Sequence, residues 1–459
     1  MSVLIKNGRI ITADADYTAD IFINGETIQL IGKNLDLKAD KEIDASGKLV
    51  FPGGIDPHVH LDMPFMGTFS SDNYETGTRA ALFGGTTMVI DFILQKQGNS
   101  LHAALEEWQG RSNGNCVGDY SFHMAVTDFN DKTKEEIKDF IEKEGITSFK
   151  TFMAYKGALM IDDRQMVGLM EEVKKCGGLI NVHATNGDMI DYLVAKHRAE
   201  GKLSPLYHYL SQPEITEAEA SERFVDMSYY TGCPGYIVHL TCEGALNAVR
   251  NATKRNQKTF VETCIQYLII DASLYEREDG AKWVMSPPLR QKKDQKTLWA
   301  GINQGLVQVV ATDHCPFKWE QKLMGKDDFS KIPNGHPAIE NRMELLYSEG
   351  VNKGRITLNK YVEVACTNPA KIFGMFPRKG TIAVGSDADM VIFDPNEKHT
   401  ISAKTHHMNV DYSAYEGWEI TGKVKTVLLR GEVAIDDGKC LLQKSYGKFI
   451  RRNKVSSIV

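Results

Sequence analysis

The stretch Leu49-Val50-Phe51-Pro52-Gly53-Gly54-Ile55-Asp56-Pro57-His58-Val59-His60 decides how the chain is read. An apolar run breaks at Pro52-Gly53-Gly54, resumes, and ends on two histidines at i and i+2. In an extended strand alternate side chains share a face, so His58 and His60 project the same way. Two imidazoles side by side make half of a divalent metal site. Outward along the chain, Lys150, His183, His239 and Asp313 each end a short apolar run with strand character. The pattern delivers ligands to one point from several strands.

Those runs belong to a series of eight: the strand of His58 and His60, then 88–92, 121–126, 147–152, 179–183, 235–239, 259–263 and 307–313. Helix-forming stretches such as 73–83, 132–143 and 163–175 lie between them. This is the rhythm of parallel strand-helix units, and eight of them close a barrel whose active site lies at the C-terminal ends of its strands. The fold class is α/β, a (β/α)8 barrel predicted over 53–379. Both ends of the chain are strand-rich instead. Asn7-Gly8 and Asn24-Gly25 each sit between apolar runs and predict two hairpins. Strand texture returns at 389–393 and 425–433. Neither end has enough strands to stand alone, so residues 1–52 and 380–459 are expected to assemble one composite β-sandwich.

Composition narrows the function classes. A net charge of −6 over 459 residues leaves no footprint for nucleic acid or an anionic membrane. No apolar run approaches a membrane span. Eight scattered cysteines without a Cys-x-x-Cys pair, and an N-terminus that enters strand pattern directly, predict a cytoplasmic protein with reduced thiols. The basic segment Lys448-Phe449-Ile450-Arg451-Arg452-Asn453-Lys454 reads as a solvated tail.

Four histidines and one aspartate exceed the needs of one catalytic zinc, which keeps an open position beside three protein ligands. Two metals about 3.5–4 Å apart around a shared oxygen would use the full set. Lys150 is the anomaly, because an ammonium has no lone pair and is repelled by cations. It must lie elsewhere, be neutral, or be chemically changed; a Schiff-base nucleophile is a further role for such a lysine. Asp313 is also placed to cap a following helix. His314 reads as structural, and His123 and His102 as core and surface residues.

Further stretches carry a resemblance. Ser148-Phe149-Lys150-Thr151-Phe152-Met153-Ala154-Tyr155-Lys156-Gly157, Val238-His239-Leu240-Thr241-Cys242, Ser286-Pro287-Pro288-Leu289-Arg290, Ala311-Thr312-Asp313-His314-Cys315-Pro316-Phe317 and Pro333-Asn334-Gly335 follow the opening stretch in order. Together they resemble the dihydropyrimidinases and microbial D-hydantoinases, the cyclic-amide branch of the amidohydrolase superfamily, nearly end to end. The resemblance implies two zinc ions bridged by hydroxide and by Lys150 carboxylated on its amine (carbamylated). It assigns His58, His60 and Asp313 to one metal and His183 and His239 to the other. It implies attack of the bridging hydroxide on a ring carbonyl, with Tyr155 donating to the oxyanion and Asp313 moving the proton. The main chain at Ser286 and Asn334 would recognise the cyclic amide or ureide. Dihydropyrimidines such as 5,6-dihydrouracil and 5-substituted hydantoins would open to N-carbamoyl amino acids, a step of pyrimidine catabolism, and the enzyme would be a homotetramer. Two departures stand out: Thr185 where the family commonly has glutamate, and Ile265 where it has proline.

Dihydroorotases carry an arginine after His-x-His that grips a substrate carboxylate. Here Leu61-Asp62-Met63-Pro64-Phe65 follows, which argues against a carboxylated ring; an allantoinase- or dihydroorotase-like hydrolase shares the metal pattern and stays as the alternative. Met63, Phe65, Phe152 and Leu159 are instead candidates to line an apolar pocket for a 5-substituent, or plain packing residues. Two other classes share the barrel. Non-catalytic assembly proteins, the collapsin response mediators, lose the ligands, whereas all six positions are present here. A deaminase would need one metal and no Lys150.

Overall fold

The computed structural model describes residues 1–455. Eight parallel strands run in chain order around a barrel: β1 (Gly54–Val59), β2 (Thr86–Leu94), β3 (Asp119–Ala125), β4 (Ser148–Phe152), β5 (Leu179–His183), β6 (Gly235–Ile237), β7 (Thr259–Cys264) and β8 (Val309–Ala311). Val59 and His314 form a parallel bridge that joins the last unit to the first. Most barrel strands are buried along their whole length, as expected when helices cover one face and the packed interior fills the other. The helices follow from local signals. Asn73 caps Tyr74–Phe83 through a reciprocal hydrogen-bond box, and Asp162 caps Asp163–Cys176, which stops at left-handed Gly177.

A second, nine-stranded sheet is built from both ends of the chain. Its seam is the opening stretch of the sequence analysis: Leu49–Pro52 pairs antiparallel with Met390–Thr400 and parallel with Ser2–Ile11. Val3, Ile5, Ile10, Ile21, Val50, Met390 and Leu428 fill a core of their own. Gly53 then passes the chain to the barrel under Thr87, whose Oγ1 would lie 2.1 Å from any added Cβ. At the junction Lys379 is buried against Asp119 of β3 and against Asp387 and Asp389.

Two expectations are corrected. Asn24-Gly25 does turn a hairpin between Asp16–Asn24 and Thr27–Gly32, but Asn7-Gly8 does not. It is a bulge inside the continuous strand Ser2–Ile11, where left-handed Asn7 donates its backbone N–H to Asp20 Oδ1 at 2.8 Å. An Asn-Gly pair supplies positive φ equally well to a bulge and to a turn. The basic C-terminal segment is not a solvated tail. Ile450 donates to the Tyr120 carbonyl at 2.7 Å, and buried Arg452 donates to Ser121 Oγ and Ser148 Oγ at 3.0 and 2.9 Å beneath the barrel. Ile450 and Arg452 are buried while Lys448, Arg451 and Asn453 are exposed, so a segment rich in charge still packs one face. Among the described residues, no helix is long and apolar enough to cross a membrane.

Candidate active site

All six ligand candidates converge at the C-terminal mouth of the barrel, in one cleft. His58 lies on β1 with His60 just beyond it, Lys150 on β4, and His183 ends β5. The strands expected to reach His239 and Asp313 stop two residues earlier, at Ile237 and Ala311. Both residues then adopt left-handed backbone, φ +41° and +53°, which turns their side chains across the mouth. Tyr155 shares this conformation at φ +63°, and its carbonyl accepts the N–H groups of Ala158, Leu159 and Met160. Non-glycine residues held at positive φ gather at functional sites, where the surrounding structure pays for the strain.

His58 Nε2 and His60 Nε2 each lie 3.1 Å from the same oxygen, Asp313 Oδ1. Donor atoms from these three residues fall within 4.8 Å of one another. On the other side, His183 Nδ1 lies 2.8 Å from His239 Nε2. The Lys150 amine sits between the two groups, 5.0 Å from the Phe92 ring that stacks on His60 and 5.3 Å from the Phe152 ring beside His183.

The electrostatics fit cations. Burial opposes the His58 imidazolium, but the Glu262 and Asp313 carboxylates outweigh it and raise its pKa to about 9. Burial pushes Lys150 down to about 7 against the pull of the same two carboxylates. Burial also holds His183 and His239 well below the usual imidazole value, so both keep lone pairs to give. Despite burial, His58 and His60 hold the Asp313 carboxyl well below its ordinary range. A positive charge is thus favoured beside Asp313, while the His183–His239 pair is kept neutral. That combination is what a metal replacing the His58 proton requires.

The remaining candidates line the same cleft: Phe65, Phe152, Leu159, Tyr155, Ser286 and Asn334. The Tyr155 ring lies 5.2 Å from that of His183, and burial with the nearby Asp313 charge raises its phenol, so the hydroxyl stays a donor. Asn334 Nδ2 donates to Ser286 Oγ at 3.1 Å. Outside them the cleft opens into an apolar chamber of Ala158, Ile190, Val194 and Phe329. His314 is structural: its Nε2 lies 3.0 Å from Asp72 and its Nδ1 accepts from Ala338 and Ile339. His123 is buried against the Pro57 carbonyl, and His102 packs on Phe140.

Two supporting residues were missed in the sequence. Glu262 on β7 accepts from His58 Nδ1, from the Tyr236 hydroxyl at 2.8 Å and from the His239 backbone N–H at 3.1 Å. A carboxylate behind a ligand histidine fixes its tautomer and leaves Nε2 for the metal. The available signal was a charge inside the strand-like run Thr259-Phe260-Val261-Glu262-Thr263. Thr185 Oγ1 lies 2.9 Å from His183 Nε2, which leaves Nδ1 as the free nitrogen. The departures at 185 and 265 therefore leave the ligand set in place, and Gln266 beside Ile265 donates to the Thr312 carbonyl at 2.8 Å.

Comparison with known proteins identifies the family and the fold. The amidohydrolase family model matches residues 49–434. A D-hydantoinase of Geobacillus stearothermophilus is 47% identical over 462 residues, covering 100% of this chain and 98% of the relative. A rat dihydropyrimidinase is 40% identical and covers 100% of this chain and 90% of its own. The crystal structure of a dihydropyrimidinase from Brevibacillus agri superposes with a TM-score of 0.98 at 46% identity, covering 99% of each chain.

Proposed function

We propose, from the premise that the chain belongs to the amidohydrolase family as a member of its hydantoinase and dihydropyrimidinase branch, that it opens cyclic amides by hydrolysis. Its substrates are 5,6-dihydrouracil and 5-substituted hydantoins, and its products N-carbamoyl amino acids. The convergence of His58, His60 and Asp313 opposite the His183–His239 pair, with a buried lysine amine between them, carries this reading. His58, His60 and Asp313 would hold one zinc and His183 and His239 a second, with Lys150, carboxylated on its amine, as a further ligand. Bound there, two divalent ions supply a water of lowered pKa and polarise the substrate carbonyl.

The chain's own residues do the rest. Main-chain groups at Ser286 and Asn334 hold the ring amide, and the apolar walls of Phe65, Phe152 and Leu159 take the 5-substituent. The Tyr155 hydroxyl donates to the carbonyl oxygen as negative charge develops on it. Asp313 accepts the proton released by the attacking water and returns it to the leaving ring nitrogen. The enzyme works in the cytoplasm as a homotetramer.

Elemental analysis of the purified protein, with ring opening of 5,6-dihydrouracil and 5-phenylhydantoin assayed on the same sample, tests the reading. About two zinc ions per chain with ring opening is the expected result. Metal-free, inactive protein that zinc and bicarbonate fail to rescue would transfer the chain to the non-catalytic assembly class. Tyr155→Phe is expected to lower kcat about a hundredfold while metals stay bound. Turnover equal to wild type would remove the oxyanion role of Tyr155.

A further inference from the structure

Lys322 is a fully buried lysine that the mechanism does not use. Its ammonium meets no carboxylate among the described residues. It donates instead to three backbone carbonyls: Val284 at 2.8 Å, Pro333 at 2.7 Å and Gly335 at 2.8 Å. An ammonium has three N–H groups, so its donor capacity is filled. Burying a charge without a counter-ion is expensive, and a methionine would occupy similar space without that cost. The side chain is therefore explained by what it holds in place.

What it holds are the two segments that carry Ser286 and Asn334. Along 284–287 each residue has its own anchor. Val284 O accepts from Lys322, Met285 O from His208 Nε2 at 2.7 Å, Ser286 Oγ from Gln212 Nε2 at 3.2 Å, and Pro287 O from the Tyr267 hydroxyl at 2.6 Å. Among these four, Lys322 alone also grips the second segment. It takes the carbonyls on either side of Asn334, those of Pro333 and Gly335. Gly335 completes the clamp by donating to Val284 O at 3.0 Å, and it packs where an added Cβ would lie 2.0 Å from the Cys315 carbonyl.

We propose that Lys322 is a positioning residue for substrate: its ammonium locks the 284–287 and 333–335 segments in register so that the main chain at Ser286 and Asn334 meets the two polar edges of a cyclic amide together. The inference rests on the cyclic-amide reading above. Lys322→Met removes the three donors and keeps the volume. With metal content unchanged and the assay run well below the melting temperature, KM for 5-phenylhydantoin is expected to rise about tenfold while kcat changes much less, the signature of lost ground-state binding. Hydrogen exchange, which needs no substrate, should show faster exchange in 333–337 and 284–290 than in the rest of the barrel. An inactive wild-type enzyme would defeat the cyclic-amide reading, and the exchange experiment would still test the clamp. Should Lys322→Met fail to fold, Lys322→Gln retains two N–H donors and should give an intermediate shift of KM. Unchanged exchange in these segments, or an unchanged KM in a folded variant, would overturn the proposal.

Discussion

Lys150→Ala is expected to lose bound metal and to lower the rate of ring opening by at least about a thousandfold, close to 4 kcal/mol of barrier. The physical reason is charge. An unmodified ammonium beside two divalent cations is repelled by both and has no lone pair to offer. Burial already depresses its pKa to about 7, so the free amine that reacts with carbon dioxide is well populated at neutral pH. Carboxylation converts this amine into a carboxylate beside the two ligand groups. Alanine removes that anion and leaves a void between the Phe92 and Phe152 rings. Short carboxylates such as acetate or propionate are small enough to enter it, so partial recovery of metal content and activity should follow their addition. Lys150→Arg, which stays cationic and fills the space, should gain nothing from them. Metal analysis with the 5-phenylhydantoin assay decides the matter: wild-type metal content in Lys150→Ala would end the bridging proposal.

Sequence reasoning reached the ligands and missed what aims them, for a reason that lies in strand geometry. His58 and His60 announce themselves because a period of two places both on one face, and a barrel gathers every strand end at one mouth. The eight units were legible in the same way, as apolar runs separated by helical stretches. Glu262 left only a weak signal, since its importance lies in a bond to His58 from a strand 204 residues away in the chain. The positive φ of Tyr155, His239 and Asp313 has only a weak signature in residue type, because histidine and aspartate visit the left-handed region more than most residues but still rarely. The Asn7-Gly8 bulge is the converse case, with a strong local signal whose meaning depends on what lies opposite. There the partner is Val50, whose Cγ2 would lie 2.6 Å from a Cβ at Gly8. Lys322 was invisible because its acceptors are backbone carbonyls of two loops, at Val284 and at Pro333 and Gly335, and no residue type announces a carbonyl turned inward.

Lys379→Met is expected to cost about 3–5 kcal/mol of stability, because it strips the cation from a buried cluster and leaves the carboxylates behind. The Lys379 amine lies 2.8 Å from Asp119, 2.6 Å from Asp389 and 3.1 Å from Asp387. Asp119 keeps a second cation, since Arg430 donates to it as well. Asp389 has no such reserve, and burial already holds its carboxyl above the ordinary range even with Lys379 in place. The sign of the pH dependence follows. An acid whose folded-state pKa is raised is penalised while ionised, and the penalty fades as pH falls through that value. The deficit of Lys379→Met should therefore be largest near pH 7 and shrink towards pH 5, as Asp389 takes up a proton in the folded state. Wild-type protein should behave oppositely at lower pH. Burial works against the Asp119 charge, but Lys379 and Arg430 hold its pKa below the unfolded value, and the stability this contributes is lost below about pH 4. Urea unfolding of both proteins between about pH 2.5 and 8 reads these slopes, and Lys379→Met combined with Asp389→Asn should recover part of the loss by removing the stranded charge. The cluster sits at the first residue of β3, at the end of the barrel opposite the histidines, so metal content and ring opening at low temperature should stay near wild type. A deficit that grows as pH falls would mean that the cation lost from the cluster was not balancing Asp389.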